Sequence, residues 1–236
     1  MTDTQTLRVW DGAGRGQTEL GWLSGAHSFS FGQHMDPDRM GFRSLRVIND
    51  DVISAGKGFG MHPHREMEIL TWVLDGKVMH RDSTGESGEI EPGDLQLMSA
   101  GAGIRHSEMN GLDDGETKLL QIWIEPNVAG VTPGYQQSSF DEAERIDRWQ
   151  LLASPGGRDG SLKIHSDAEV SVGLLGPGIT IAAEVSGDRH AYVHIARGRV
   201  RIGDREFVGG DAVSFTGYKA DITAIESSEL MMFDLA

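Results

Sequence analysis

Two short runs carry side chains able to do chemistry together, His62-Pro63-His64 and His106-Ser107-Glu108. On an extended strand, residues i and i+2 project to one face, so each run presents two donor groups side by side. The first offers two imidazoles with room for one ion between them, the second an imidazole and a carboxylate. Pro63 removes a backbone donor, which predicts an edge strand or a bulge for the first run. Ahead of the second, Ser99-Ala100-Gly101-Ala102-Gly103-Ile104 is a glycine-rich turn that lets the backbone approach the core closely. Two such segments facing each other inside a barrel supply three nitrogens and one oxygen. That set suits iron, nickel, cobalt, copper, manganese or zinc, with positions left open for substrate or dioxygen.

The elements around these residues read as strands. Ser44 to Ile48, Glu68 to Leu74, Leu119 to Ile124, Tyr192 to Ile195 and Leu230 to Phe233 are strand-length and bounded by turn residues such as Asn49-Asp50-Asp51, Asp75-Gly76 and Arg197-Gly198. Glycine is plentiful, at 32 of 236 residues, which fits many short strands joined by tight turns. Helical periodicity is weak, and its best candidate is a short helix or turn within Ser139 to Leu152, with Ser139 as cap and Glu142 three positions on. A faint repeat runs through the chain. Val73-Leu74-Asp75-Gly76-Lys77-Val78 leads to Pro92-Gly93-Asp94, and Ile195-Ala196-Arg197-Gly198-Arg199-Val200 leads to Gly209-Gly210-Asp211. The matching order points to a duplicated β unit. The connection at about 125–149, rich in proline, glycine and polar residues, divides the chain into 1–130 and 131–236.

Composition excludes several classes. There is no cysteine, so disulfides, thiolate nucleophiles and zinc–thiolate clusters are ruled out. A net charge of −15 repels phosphate backbones and anionic lipid surfaces, so neither nucleic acid nor membrane is an expected partner. The first residues lack the basic and apolar regions of a leader, and no apolar run reaches bilayer length. A cytoplasmic protein is expected.

The run from His62 to Gly76, then Pro92-Gly93-Asp94 and Gly101-x-Gly103-x-x-His106-x-x-x-Asn110, resembles the two motifs of the cupin superfamily. Four stretches are similar to the pirin family more narrowly: His27-Ser28-Phe29-Ser30-Phe31-Gly32, Met40-Gly41-Phe42, Leu45-Arg46-Val47-Ile48-Asn49, and the block from His62 through Glu108. The resemblance is strong over roughly residues 20–125 and architectural beyond. It implies an all-β chain of two cupin barrels (double-stranded β-helix, or jelly-roll) with few short helices. The N-terminal barrel is implied to hold one divalent transition metal, usually iron(II), on His62, His64, His106 and Glu108. In the commoner cupin pattern a glutamate shortly after the histidine pair is the carboxylate ligand. Glu68 holds that place here, as a rival to Glu108 or as a group bonding an imidazole or a water.

Pirin-type bicupins resemble flavonol dioxygenases, some of them assigned quercetin 2,3-dioxygenase activity. The implied substrates are a small flavonol-like aromatic and dioxygen, with Glu108 as the general base for a hydroxyl proton and carbon monoxide lost on ring opening. The alternative implied by the family is a non-catalytic, metal-responsive regulator that binds a transcription factor or a metabolic enzyme. As histidines are to carry the ion, protons should compete with it as pH falls toward the imidazole range.

The remaining candidates read as structural. His27 and His34 flank the Phe29 to Gly32 segment, with His27 a possible residue of the pocket mouth. His80 is expected to be a turn residue paired with Asp82, and Trp72, Met98 and Met109 to sit in the core or a pocket wall. In the second half His190 and His194 lie four apart and no histidine follows them, so that lobe is expected to carry no metal.

Overall fold

The computed structural model of the chain describes residues 7–236. Strands build two lobes of the same plan, each a seven-stranded sheet facing a four-stranded one. In the first lobe the large sheet runs, in spatial order, Gly134–Ser139, Asp94–Ser99, Glu68–Asp75, Thr117–Ile124, Leu45–Ile53, Leu23–His27 and Gly16–Glu19. Its small sheet runs Gly58–His64, Ile104–Asn110, Val78–Asp82 and Ser87–Ile90. In the second lobe His190–Arg197, Ser228–Leu235 and Ala168–Leu175 are the central strands of the large sheet, and Lys219–Ala224 and Arg199–Ile202 those of the small one. Among the described residues, the only helical elements between the strands are short 3₁₀ turns.

The repeat seen in the sequence is a structural equivalence. Gly93 and Gly210 both take left-handed backbone, at φ 97° and 92°. The aspartate after each closes the same turn: Asp94 Oδ2 accepts from Glu91 N–H at 3.1 Å, and Asp211 Oδ2 from Val208 N–H at 2.9 Å. The chain division near residue 130 is not a clean cut of the sheets. Arg8–Trp10 pairs with Ala212–Ser214 in the far lobe, and Gly134–Ser139 pairs back onto Asp94–Ser99.

The large sheets pack back to back, because alternate residues of their strands are apolar on both faces. In Thr117–Ile124, Leu120, Ile122 and Ile124 enter a core shared with Val170, Tyr192 and Phe233 of the second lobe. Leu119 turns into the first barrel. The second barrel is filled by an apolar cluster that includes Ile195, Val200, Phe207, Val213 and Phe215. The first barrel is different. Apolar clusters close it in two places, around Ile53, Val78 and Leu119 and around Ile69, Met98 and Ile104. Between them its inward positions carry buried Asn49, Asp51, Thr71, Gln96, His106, Glu108 and Gln121.

The short helix or turn expected within Ser139–Leu152 is one 3₁₀ turn, Glu142–Glu144. Ser139 ends a strand, and its hydroxyl donates to Asp94 Oδ1. Asp141 supplies the cap instead, accepting from Ala143 N–H at 2.9 Å. The chain is then drawn onto Ala168–Leu175, with Leu174 N–H donating to the Arg145 carbonyl at 2.8 Å and Ile146 bridging Leu174. Strand pairing outcompetes a helix with no apolar face to bury.

Candidate metal centre

His62 and His64 lie on Gly58–His64, the edge strand of the small sheet. An edge is where Pro63 costs no ladder bond. His62 pairs with His106 and Phe59 with Glu108, so the strand bulges at Gly60–Met61. Both features expected from the proline are present. Behind His106 the turn is tight: a side-chain carbon at Gly101 would lie 2.1 Å from the Val131 carbonyl oxygen, and its φ of 45° also favours glycine.

The three imidazoles converge. Their ring centroids stand 4.5 Å apart for His62–His106 and 4.8 Å for both His62–His64 and His64–His106. One nitrogen from each falls within 4.8 Å of the others, and no second group of this kind occurs among the described residues. His62 Nδ1–H donates to the Gly60 carbonyl at 2.8 Å, which leaves Nε2 as the free lone pair. His64 Nε2 and both nitrogens of His106 are buried without partners. Burial, then its imidazole neighbours His106 and His62, lower the His64 pKa to about 4. Burial, then His62 and His80, lower that of His106 to about 3. Neutral rings with orphaned, convergent nitrogens fit a divalent transition metal.

Glu108 is buried beside the triad and lines the same cavity. Thr71 Oγ–H donates to its Oε1 at 2.9 Å, and Gln121 Nε2–H to its Oε2 at 2.8 Å. Its carboxylate is not part of the compact three-nitrogen group. Glu68 is elsewhere. It belongs to the large sheet, on the face carrying Leu70 and Trp72 toward the second lobe. Its Oε2 accepts from Ser99 Oγ–H at 2.9 Å and from His165 N–H at 3.1 Å. The even spacing from His64 fails because the chain changes sheets between them, through a left-handed Glu66 at φ 49°. Glu68 therefore bonds neither an imidazole nor a ligand of the triad.

A cavity of about 510 Å³ opens onto the triad between the edge strands Gly16–Glu19 and Gly58–His64. Leu20, Leu23, Phe31, Phe59 and Trp123 give it apolar, partly aromatic walls. The Trp123 ring stands edge-on to His64 at 4.9 Å. His27 and His34 both line this cavity, and His27 Nε2 is 2.8 Å from Thr18 Oγ1. His80 is not a turn residue: it lies on the strand Val78–Asp82, buried next to the site. Its Nε2–H donates to Asp82 at 3.3 Å, its ring stacks on Tyr135 at 4.7 Å, and it lies 5.4 Å from His106. Trp72 and Met98 are core, while Met109 is only half-buried. His194 is buried at the junction of the lobes, 3.3 Å from Asp50, and His190 bonds Thr216. Asn49 and Asp51, expected to form a turn after Ile48, instead continue the strand Leu45–Ile53 beside Thr117–Ile124, and with Thr71 and Gln121 they line or support the site though motif reading gives none of them a role. Their signal is polarity at inward positions of otherwise apolar strands.

Fold and site together define a bicupin, a pair of double-stranded β-helix barrels in which one encloses a histidine-lined cavity suited to a divalent metal. The pirin family model matches residues 11–124, and a quercetinase C-terminal cupin domain matches 151–235. The chain belongs to the pirin family. It is 44% identical over 222 residues to the quercetin 2,3-dioxygenase of Escherichia coli K12, covering 94% of this chain and 95% of that one. A putative quercetin 2,3-dioxygenase of Mycobacterium bovis is 41% identical over 236 residues, covering 98% and 96%. The crystal structure of the bacterial pirin YhhW from Escherichia coli in complex with nickel(II) superposes with a TM-score of 0.91 at 41% identity, covering 98% of this chain and 99% of that one.

Proposed function

We propose that this chain is a metal-dependent dioxygenase that opens flavonol-type substrates, with its ion on His62, His64, His106 and Glu108. The observation that carries the proposal is the convergence of three imidazoles with unpartnered nitrogens on an apolar, aromatic-walled cavity. Nitrogen–oxygen ligation of this kind accepts iron(II), which we assign as the native ion, and also nickel(II). The N-terminal lobe then carries the chemistry and the C-terminal lobe, apolar inside, serves as its structural partner. We place the protein in the cytoplasm. No helix among the described residues is long and apolar enough to cross a membrane.

When bound, the ion supplies Lewis acidity toward an enolic oxygen and redox access to dioxygen. The protein's own groups do the rest. Glu108 takes the proton of the substrate hydroxyl nearest the triad, and Thr71 and Gln121 hold its carboxylate in place for that transfer. The hydrogen bond from His62 to Gly60 fixes the ring's tautomer and direction. Phe31, Phe59 and Trp123 offer flat apolar surface to a planar ring and keep bulk water from it. The test is oxygen uptake and carbon monoxide release with quercetin, for the wild type and His62→Ala. Turnover lost in the variant with its melting temperature kept supports the proposal. No turnover by the wild type with any divalent ion overturns it.

A further inference from the structure

One cavity residue has no role in metal binding or proton transfer, and no structural partner. Asp51 is 3% exposed, and its Oδ1 is buried without a hydrogen bond. It lines the cavity, where no lysine or arginine is present to pair with it. The nearest arginine, Arg15, is ion-paired to Asp50 on the opposite face of the same strand and donates to the Ala26 carbonyl. Space is reserved for this carboxyl. The residue paired with Asp51 on the neighbouring strand is Gly25, where a side-chain carbon would lie 2.7 Å from Asp51 Oδ1. Leu119, its partner on the other side, belongs to the apolar cluster that includes Leu23 and borders Phe59. An unpartnered buried carboxyl is costly, and its retention at a cavity wall calls for a partner from the ligand.

We propose that Asp51 is a specificity-determining residue that binds a second hydroxyl of the substrate, other than the one whose proton Glu108 takes. The inference rests on the flavonol reading above and narrows it to polyhydroxylated aromatics. Burial first, then the negative neighbours Glu108 and Asp50, raise the Asp51 carboxyl to about 7. The carboxyl can meet a ligand as the acid or as the carboxylate. A hydroxyl serves either one, accepting from the acid or donating to the carboxylate. An ether or an alkyl group serves neither in full.

Dissociation constants measured by calorimetry on the metal-loaded protein test this with two ligands. Quercetin carries further hydroxyls on both of its ring systems, whereas 3-hydroxyflavone keeps only the one placed for the metal-binding histidines. The wild type should prefer quercetin by about tenfold, the scale of one well-made buried hydrogen bond. Asp51→Ala should erase that preference while leaving the affinity for 3-hydroxyflavone unchanged. Asp51→Asn, which keeps the shape and a polar group, should retain part of it and serves as the folding control. If the wild type binds both ligands and either variant keeps the full preference, the inference about Asp51 is overturned and the flavonol reading stands. If the wild type binds neither, the flavonol reading fails and takes this inference with it.

Discussion

Gln121 Nε2 stands 2.8 Å from Glu108 Oε2, and the two groups meet inside the barrel from facing sheets. With Thr71 on the other oxygen, the carboxylate is held at both ends. Breaking this support should slow chemistry without emptying the metal site. Gln121→Leu and Thr71→Val are each expected to keep the wild-type metal content and lose about 10- to 100-fold in turnover, the usual scale for groups that orient a site. Elemental analysis beside oxygen-uptake rates checks this. Metal loss in step with activity would show that these residues act by holding Glu108 as a ligand and not by orienting it for proton transfer.

The chemistry of the site was legible because it is local. Two imidazoles or an imidazole and a carboxylate at i, i+2 share a face wherever the strand is regular, and Pro63 marked the edge and the bulge. The duplicated Gly–Asp turns were legible for the same reason. What depended on distant pairing was not. Glu68 has the right spacing, but the left-handed Glu66 turn and the change of sheet send it to the other face. Arg8–Trp10 finds its partner about 200 residues away, at Ala212–Ser214, which no periodicity encodes. Asn49-Asp50-Asp51 reads as a turn because its residues are polar, but the strand runs on through it to Ile53, held by pairing with Thr117–Ile124; the meaning of Asp51 and Gln121 required knowing which face turned inward.

Acid should release the metal later than free histidine suggests. The ordinary imidazole range predicts competition by protons near pH 6, but His64 is lowered to about 4 and His106 to about 3, mainly by burial. Metal content should hold at pH 5 and fall near pH 4, as followed by dialysis and elemental analysis. Retention at pH 5 is therefore no argument against histidine ligands.

The same shifts set the acid sensitivity of the metal-free fold. Between pH 6.5 and about 4 for His64, or about 3 for His106, the unfolded chain holds a proton on the imidazole that the folded one excludes. Stability therefore falls as pH drops through this window, by about 1.4 kcal/mol per pH unit for each fully excluded proton. His106→Gln should flatten the slope by one such contribution. Urea unfolding of chelated wild type and variant at pH 7, 5.5 and 4.5 reads it directly, and parallel slopes would contradict the assigned burial of His106.

Chelation should lower the melting temperature of the loaded wild type and leave His106→Ala unmoved. An ion at about 100 times its dissociation constant stabilises the folded state by about 2.7 kcal/mol. For a chain of 236 residues that is a shift of roughly 5–10 °C. The apo-protein should still unfold cooperatively, because the core shared between the lobes lies outside the metal site. A scanning calorimetry trace with and without chelator decides it.

The two buried glutamates can be separated by what each removal leaves behind. Glu68→Ala strips the acceptor from Ser99 Oγ–H and from His165 N–H, a contact between the lobes. Two donors stranded in the interior should cost about 2–4 kcal/mol of stability. Turnover per folded molecule and metal content should stay near wild type, since Glu68 faces away from the barrel interior. Glu108→Ala removes the group placed to move the substrate proton and one of the four proposed ligands, so turnover per bound ion should fall by about 10²- to 10⁴-fold and metal affinity should weaken with it. Its stability should change less, because Thr71 and Gln121 already lie within 3.4 Å of each other and can pair when the carboxylate is gone. Denaturant midpoints and metal-normalised rates on both variants form the test. If Glu68→Ala loses the metal while Glu108→Ala keeps full activity, the two roles are reversed and the turn at Glu66 does not separate them as described.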